Sequence, residues 1–268
     1  MKSSARFDFD VQRYGEVPRL NGLMVVGTDT GVGKTLIAGA IARRLVAQGV
    51  RVEVFKPAAT GCERVGGRFV PEDTAFLACN AESQLTLSEI TPIMLKTPAA
   101  PNVSARHENK RIDLDEIFNA YRHIAKILEQ DNADQRCVIV EGVGGLMCPI
   151  SDDFLVIHVA LALRLPVVIV AHAGLGTINH TLLTAHAARN AGLDVAGIVI
   201  NKYITDTAAL GDNGIVMETN PGEIQRFSSL PILAIVPAEE SNNVSDSTIG
   251  EDTMHAISMV DWMTLAGR

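Results

Sequence analysis

Residues 24–35, MVVGTDTGVGKT, constrain the fold more than any other stretch of the chain. An apolar run stops at Gly27, a short turn of Gly, Thr and Asp follows, and Lys34-Thr35 opens a segment with Ile37, Ile41 and Leu45 at helical spacing. A strand that turns this tightly into a helix aims several backbone N–H groups at one point, beside the partial positive charge of the helix N-terminus. Lys34 adds a full charge suited to phosphate oxygens, and the Thr35 hydroxyl is placed to ligate Mg²⁺. The common spacing is G-x-x-x-x-G-K-[ST]; here Gly27 sits one residue early and Thr28 stands at the expected glycine. The bland alternative is a glycine-bearing turn with an exposed lysine. It leaves unexplained why G-x-G-K-T falls directly between an apolar run and an amphipathic segment.

Apolar runs and amphipathic segments alternate through the rest of the chain, as in doubly wound sheets. Strands are expected at 23–26, 50–55, 93–95, 137–140, 167–171, 195–200 and 232–236. Helices are expected at 34–48, around 74–79, and at 114–128, 177–190 and 251–265, with Gly49 and Gly192 as stops and 238–250 as loop. Residues 1–20 read as a polar tail and 21–268 as a single α/β domain, a parallel sheet with helices on both faces. A hydrophobic fraction of 47% with only 4% aromatics suits such an aliphatic core. The net charge of −8 argues against a broad nucleic-acid or anionic-membrane surface. Cys62, Cys79, Cys137 and Cys148 show no metal-binding spacing and read as small hydrophobes or free thiols. With no apolar leader at the N-terminus and no run of roughly 20 apolar residues, the cytoplasm is the expected location and no membrane is expected as a partner.

Several residues attract notice by position. Lys56 ends a strand with Val50, Val52 and Val54 in alternation, at the same sheet edge as the loop, although a solvated strand-end lysine is common. Glu141 directly follows Val138-Ile139-Val140, and an ionised carboxylate buried there needs a strong partner. Asp73 reads equally well as a cation partner or as an acidic residue favouring a helix start. Gly142 and Gly144 permit close backbone approach to a ligand. Gly176, Thr177, Ile178 and Asn179 begin a helix whose N–H groups suit an anion, or Thr177 simply caps it. Asn201 ends an apolar strand with both a donor and an acceptor to offer. His180 and His186 read as packing or surface residues.

The stretch GTDTGVGKT resembles the variant phosphate loop of dethiobiotin synthetases, G-T-D-T-x-V-G-K-T. FKPAATG at 55–61, PEDTAFL, VIVEGVGGLMCPI, LPVVIVAHAGLGTINHTLLTAHAARNAGL and GIVINK resemble that family's further segments in the same order, covering about residues 22–237. The resemblance implies a P-loop-type fold and a cyclo-ligase of biotin biosynthesis. Such an enzyme closes 7,8-diaminononanoate and CO₂ into dethiobiotin at the expense of ATP, with Mg²⁺ and as a homodimer. It further implies that Lys34 and Lys56 are catalytic and that Thr60, Gly176, Thr177, Ile178 and Asn179 hold the substrate. Thr30, Gly31, Val32, Gly33, Lys34, Thr35, Leu36, Asp73, Glu141, Gly142, Val143, Gly144, Asn201, Lys202 and Pro237 are the implied nucleotide-site residues. Thr35, Asp73 and Glu141 are the implied metal ligands. Gly31 stands where some members carry an acidic residue, and the polar AEESNN after Pro237 departs from the usual base-binding loop. The competing class is a nucleotide-switched partitioning or positioning ATPase, but the extra loop lysine of those proteins is missing here. A related amidoligase would need a glutaminase region, which the sequence lacks.

Overall fold

The computed structural model describes residues 14–207 and 211–268. In chain order the elements are β1 (Gly22–Gly27), α1 (Lys34–Ala47), β2 (Arg51–Phe55), β3 (Ala58–Ala59), β4 (Glu63–Val65), β5 (Arg68–Val70), α2 (Glu72–Asn80), α3 (Leu87–Ile90), β6 (Ile93–Met94) and α4 (Pro101–His107). There follow α5 (Leu114–Gln130), β7 (Arg136–Gly145), α6 (Val156–Leu163), β8 (Val167–His172), α7 (Thr177–Asn190), β9 (Val195–Tyr203), α8 (Asp212–Ser228), β10 (Ile232–Pro237), α9 (Glu251–Ser258) and α10 (Trp262–Ala266). Six strands form one sheet in the order β10-β9-β8-β1-β7-β2, and every pairing in it is parallel.

The strands are apolar throughout because both faces are covered. Along β1, Met24 and Val26 enter one core layer and Leu23 and Val25 the other. Along β7, Val138 and Val140 alternate with Cys137 and Ile139 in the same way. The first layer is closed by α5, whose Ile117, Tyr121, Ile124 and Leu128 lie on one stripe. Asp113 starts that helix by accepting from the Asp115 N–H at 2.9 Å. The second layer is closed by α1 through Ile37, Ile41 and Leu45, and by Trp262 and Leu265 of α10. Each such side chain contributes on the order of 1.5–3 kcal/mol by leaving water. Gly49, with φ of 81°, takes the left-handed turn that stops α1.

The structure differs from the sequence reading at several helices, the short α3 and α4 among them. The expected helix 251–265 is two: α9 ends at Ser258, and Asp261 caps α10 by accepting from the Thr264 N–H at 3.1 Å. The Trp262 indole ties the break shut by donating to the Ile257 carbonyl at 2.7 Å. Helix α8 was not expected because it carries Pro221 within it. Packing holds it, with Ile224 fully buried and the Asn220 amide donating to the Ala173 carbonyl at 2.9 Å. Helix α6, VIHVALAL, is so apolar that it has no polar face to betray its period. Of the segment 1–20, residues 1–13 lie outside the described residues. Within the remainder, Tyr14 stacks on Phe118 with ring centroids 4.9 Å apart, Val17 is buried, and Arg122 donates to the Glu16 carbonyl at 3.0 Å.

Candidate functional site

Parallel strands place their carboxyl ends on one edge, where open α/β sheets bind ligands. At that edge the 27–33 loop leaves β1 between β7 and β8, with Gly27 opposite Gly145 on one side and Val170 on the other. The Thr28 N–H donates to the Val170 carbonyl at 3.0 Å, fixing the start of the turn. Gly31 and Gly33 are both left-handed, with φ of 76° and 95°. At Gly33 a β-carbon would stand 2.0 Å from Nδ2 of Asn201, so only glycine fits. The Asp29 carboxylate accepts from the Thr30 N–H at 2.7 Å, and the Asp29 carbonyl accepts from Lys34 Nζ at 3.0 Å. Asp29 was not singled out in the sequence; the signal was there in its T-D-T setting, since Asp commonly bonds its own following backbone in turns.

Beside the loop is a cluster drawn from three other elements. Lys56, 2% exposed, places Nζ 2.7 Å from Asp73 and 2.9 Å from Glu141. The Thr35 hydroxyl donates to Oε1 of the same Glu141 at 2.8 Å. Burial works against a charge on Lys56, but Glu141 and Asp73 outweigh it and hold the ammonium above its ordinary pKa. The two carboxylates around this one cation shift in opposite directions, and half-exposed Asp73 is the one whose charged form is favoured. Its burial cost is overcome by Lys56, so its pKa falls below the usual range. Glu141 bears the heavier desolvation, which pushes its pKa up. Burial also lowers the pKa of Lys34, with Glu141 opposing that shift and Lys56 adding to it.

The structure therefore brings Lys34, Thr35, Lys56, Asp73 and Glu141 into one cluster next to the glycine-rich 27–33 loop. Gly142, Val143 and Gly144 close its floor at the end of β7, where a β-carbon on Gly144 would lie 3.7 Å from the Thr30 hydroxyl. Val32 turns its side chain into the core, leaving only its backbone for a ligand. Leu36 lies in the first turn of α1. Thr60 lines a cavity of about 160 Å³ together with Cys62, Val70 and Asp73. Asn201 donates from Nδ2 to the Val32 carbonyl at 2.9 Å, and Lys202 donates to the Gly31 carbonyl at 2.8 Å. Pro237 ends β10 opposite Tyr203.

Gly176, Thr177, Ile178 and Asn179 stand apart at the start of α7, and none of the cluster's bonds among the described residues reaches them. Thr177 does not cap that helix. Gly176 occupies the cap position, and the buried Thr177 hydroxyl pairs with that of Thr181 at 3.5 Å. His180 and His186 are exposed, the latter bonded to Asn190 at 2.7 Å. The four cysteines are free, and burial pushes the Cys137 thiol up to about 12. A larger cavity, about 590 Å³ between α4 and the start of α5, contains no member of the cluster. Chemistry rather than volume marks the site. No helix among the described residues is long and apolar enough to cross a membrane.

The donor set suits a hard divalent cation. Thr35, Asp73 and Glu141 offer only oxygens, and Oε2 of Glu141 is buried without a partner in the protein. With two carboxylates and a hydroxyl, such an ion would take its remaining ligands from water and phosphate.

Residues 21–244 match the family model described as an AAA domain. The chain is 41% identical to the ATP-dependent dethiobiotin synthetase BioD of Bacillus licheniformis over 82% of this chain and 87% of that protein. It is 38% identical to the Bacillus subtilis protein of the same name over 86% and 92%. For the Thermodesulfovibrio yellowstonii protein, again of that name, the figures are 36%, 81% and 88%. Among solved structures it is similar to the MinD cell division protein of Aquifex aeolicus, with a TM-score of 0.56, 15% identity and coverage of 93% and 98%. A ParA family ATPase from Chlorobium tepidum gives 0.52, 15%, 91% and 98%. At those identities the likeness concerns the fold alone.

Proposed function

The chain belongs to the ATP-dependent dethiobiotin synthetases of biotin biosynthesis, and from that premise we propose how its own residues divide the work on 7,8-diaminononanoate, CO₂ and ATP. One amine of the diamine adds to CO₂ and loses a proton, giving a carbamate. A carbamate oxygen attacks the γ-phosphorus and ADP departs. The second amine then attacks the carbonyl carbon of the mixed anhydride, closing the cyclic urea and expelling phosphate.

The loop N–H groups and Lys34 hold the phosphates, while the Lys56 ammonium neutralises the carbamate and the charge that moves onto the transferred phosphoryl group. Asp73 and Glu141 keep Lys56 protonated for that role. The Thr60 hydroxyl positions an amine, and the N–H groups at Gly176 to Asn179 suit the substrate's distal carboxylate, supplied across a homodimer. Asn201, with Oδ1 unpartnered, and Pro237 border the base. Thr35, Asp73 and Glu141 would hold Mg²⁺, which supplies charge neutralisation at the β- and γ-phosphates when bound. The cytoplasm is the setting in which these small substrates and ATP meet.

The observation that carries this reading is Lys56, buried between Asp73 and Glu141 and one residue removed from Thr35 through their shared carboxylate. The test is phosphate release from Mg²⁺-ATP and bicarbonate, with and without the diamine. Release that requires the diamine and yields dethiobiotin is expected; release indifferent to the diamine would sink the proposal.

A further inference from the structure

β9 ends with two consecutive side chains on the phosphate loop. Asn201 holds the Val32 carbonyl, and Lys202 holds the Gly31 carbonyl at 2.8 Å. Neighbours in an extended strand point to opposite faces. Here Lys202 has φ of 60°, a left-handed conformation uncommon outside glycine, which breaks the alternation and lets both side chains reach one loop.

The segment they grip is the part of the loop least able to hold itself. Gly31 and Gly33 are both left-handed and flank Val32. The space around a β-carbon at Gly31 is empty to 4 Å, so no packing against that α-carbon holds the turn in place. In a trans peptide the carbonyl and the following N–H point in opposite directions. Holding the Gly31 carbonyl outward therefore sets the Val32 N–H inward, and holding the Val32 carbonyl does the same for the Gly33 N–H. A flipped Gly31 peptide would present an oxygen where a phosphate needs a donor.

We infer that Lys202 is a positioning residue for phosphate binding, a brace that fixes the Gly31–Val32 peptide with its N–H toward the phosphates, rather than a contact to the base. The inference rests on the ATP-binding reading of the loop and adds to it the means by which a glycine-rich loop is kept in its binding form.

The test compares Lys202→Met, which keeps the aliphatic stem, with Lys202→Arg, which keeps a donor. Calorimetry measures affinity for ATP, for GTP and for inorganic tripolyphosphate, which has no base. Lys202→Met should weaken all three by the same factor, roughly fivefold to tenfold, as for loss of one solvent-exposed hydrogen bond. The KM for ATP should rise by that factor while kcat falls less than twofold, and Lys202→Arg should restore most of the loss. The factor should persist at about 0.5 M NaCl, where charges farther apart than about 5 Å are screened. A loss confined to ATP, a loss that salt abolishes, or unchanged tripolyphosphate affinity would each overturn the brace. If wild-type protein bound none of the three, the ATP-dependent reading would fall with it; normal wild-type binding with an unaffected Lys202→Met removes the brace alone.

Discussion

The Thr35 hydroxyl donates to Oε1 of Glu141 over 2.8 Å, joining the first turn of α1 to the end of β7. The same oxygen lies 2.9 Å from Lys56 Nζ, so one atom links a metal-type hydroxyl to the buried ammonium. Glu141→Gln keeps the shape and removes the charge. The half-saturating Mg²⁺ concentration for phosphate release should rise at least about tenfold, the scale for disturbing a metal's supporting groups. A Mg²⁺ titration with unchanged midpoint would separate Glu141 from the cation.

The two lysines should fail differently. Lys56→Met leaves Asp73 and Glu141 facing each other without their cation, at a cost of about 3 kcal/mol in unfolding free energy. Its turnover should fall about 100-fold or more, with ATP affinity within about threefold. Lys34→Ala should instead weaken ATP binding about tenfold or more. Paired nucleotide titrations and urea melts check this, and equal losses of ATP affinity would merge the two roles.

Glu108 predicts an acid-sensitive contact outside the site. Burial opposes its charge, but the bonds from Lys110 at 2.8 Å and the Thr97 N–H at 2.9 Å hold its pKa down to about 2, against 4.5 for a free glutamate. A depressed carboxylate stabilises the fold fully above pH 4.5, and that contribution is lost as pH falls toward 2. Allowing for solvent screening, Glu108→Gln should cost about 1–2 kcal/mol at pH 7. Urea midpoints should show the gap to wild type narrowing below pH 4.5 and closing near pH 2.

Gly33→Ala forces a β-carbon toward Asn201 in a left-handed backbone. Strain and displacement together should cost about 2–4 kcal/mol and abolish nucleotide binding. Adding Asn201→Ala frees the space but not the backbone, so thermal melts should show partial recovery of stability at most.

The sheet was legible because strands buried on both faces advertise themselves as unbroken apolar runs, as at Val138-Ile139-Val140. The phosphate loop was legible because its glycines, lysine and threonine are adjacent in sequence. Helix α8 was hidden by Pro221, whose cost is met by tertiary packing that no local pattern reports. The break between α9 and α10 depends on Asp261 choosing to cap rather than continue, and the Trp262 indole decides that through the Ile257 carbonyl. Glu141 could be flagged as a buried charge in need of a partner, but the 2.9 Å contact identifying Lys56 as that partner exists only after β2 and β7 pair. The partners of Asn201 and Lys202 are backbone carbonyls far away in the chain, and side-chain types carry no record of such bonds.

Strand order has a bearing on how this protein is made. Gly33 follows β1, yet Lys56 follows β2, Glu141 and Asn201 lie on β7 and β9, and β1 itself is seated between β7 and β8. A growing polypeptide therefore carries its glycine turn from the outset, but the Gly31 and Val32 carbonyls gain their side-chain partners only when β9 has left the ribosome and docked. Any nucleotide hold by a shorter nascent fragment would have to do without those two bonds.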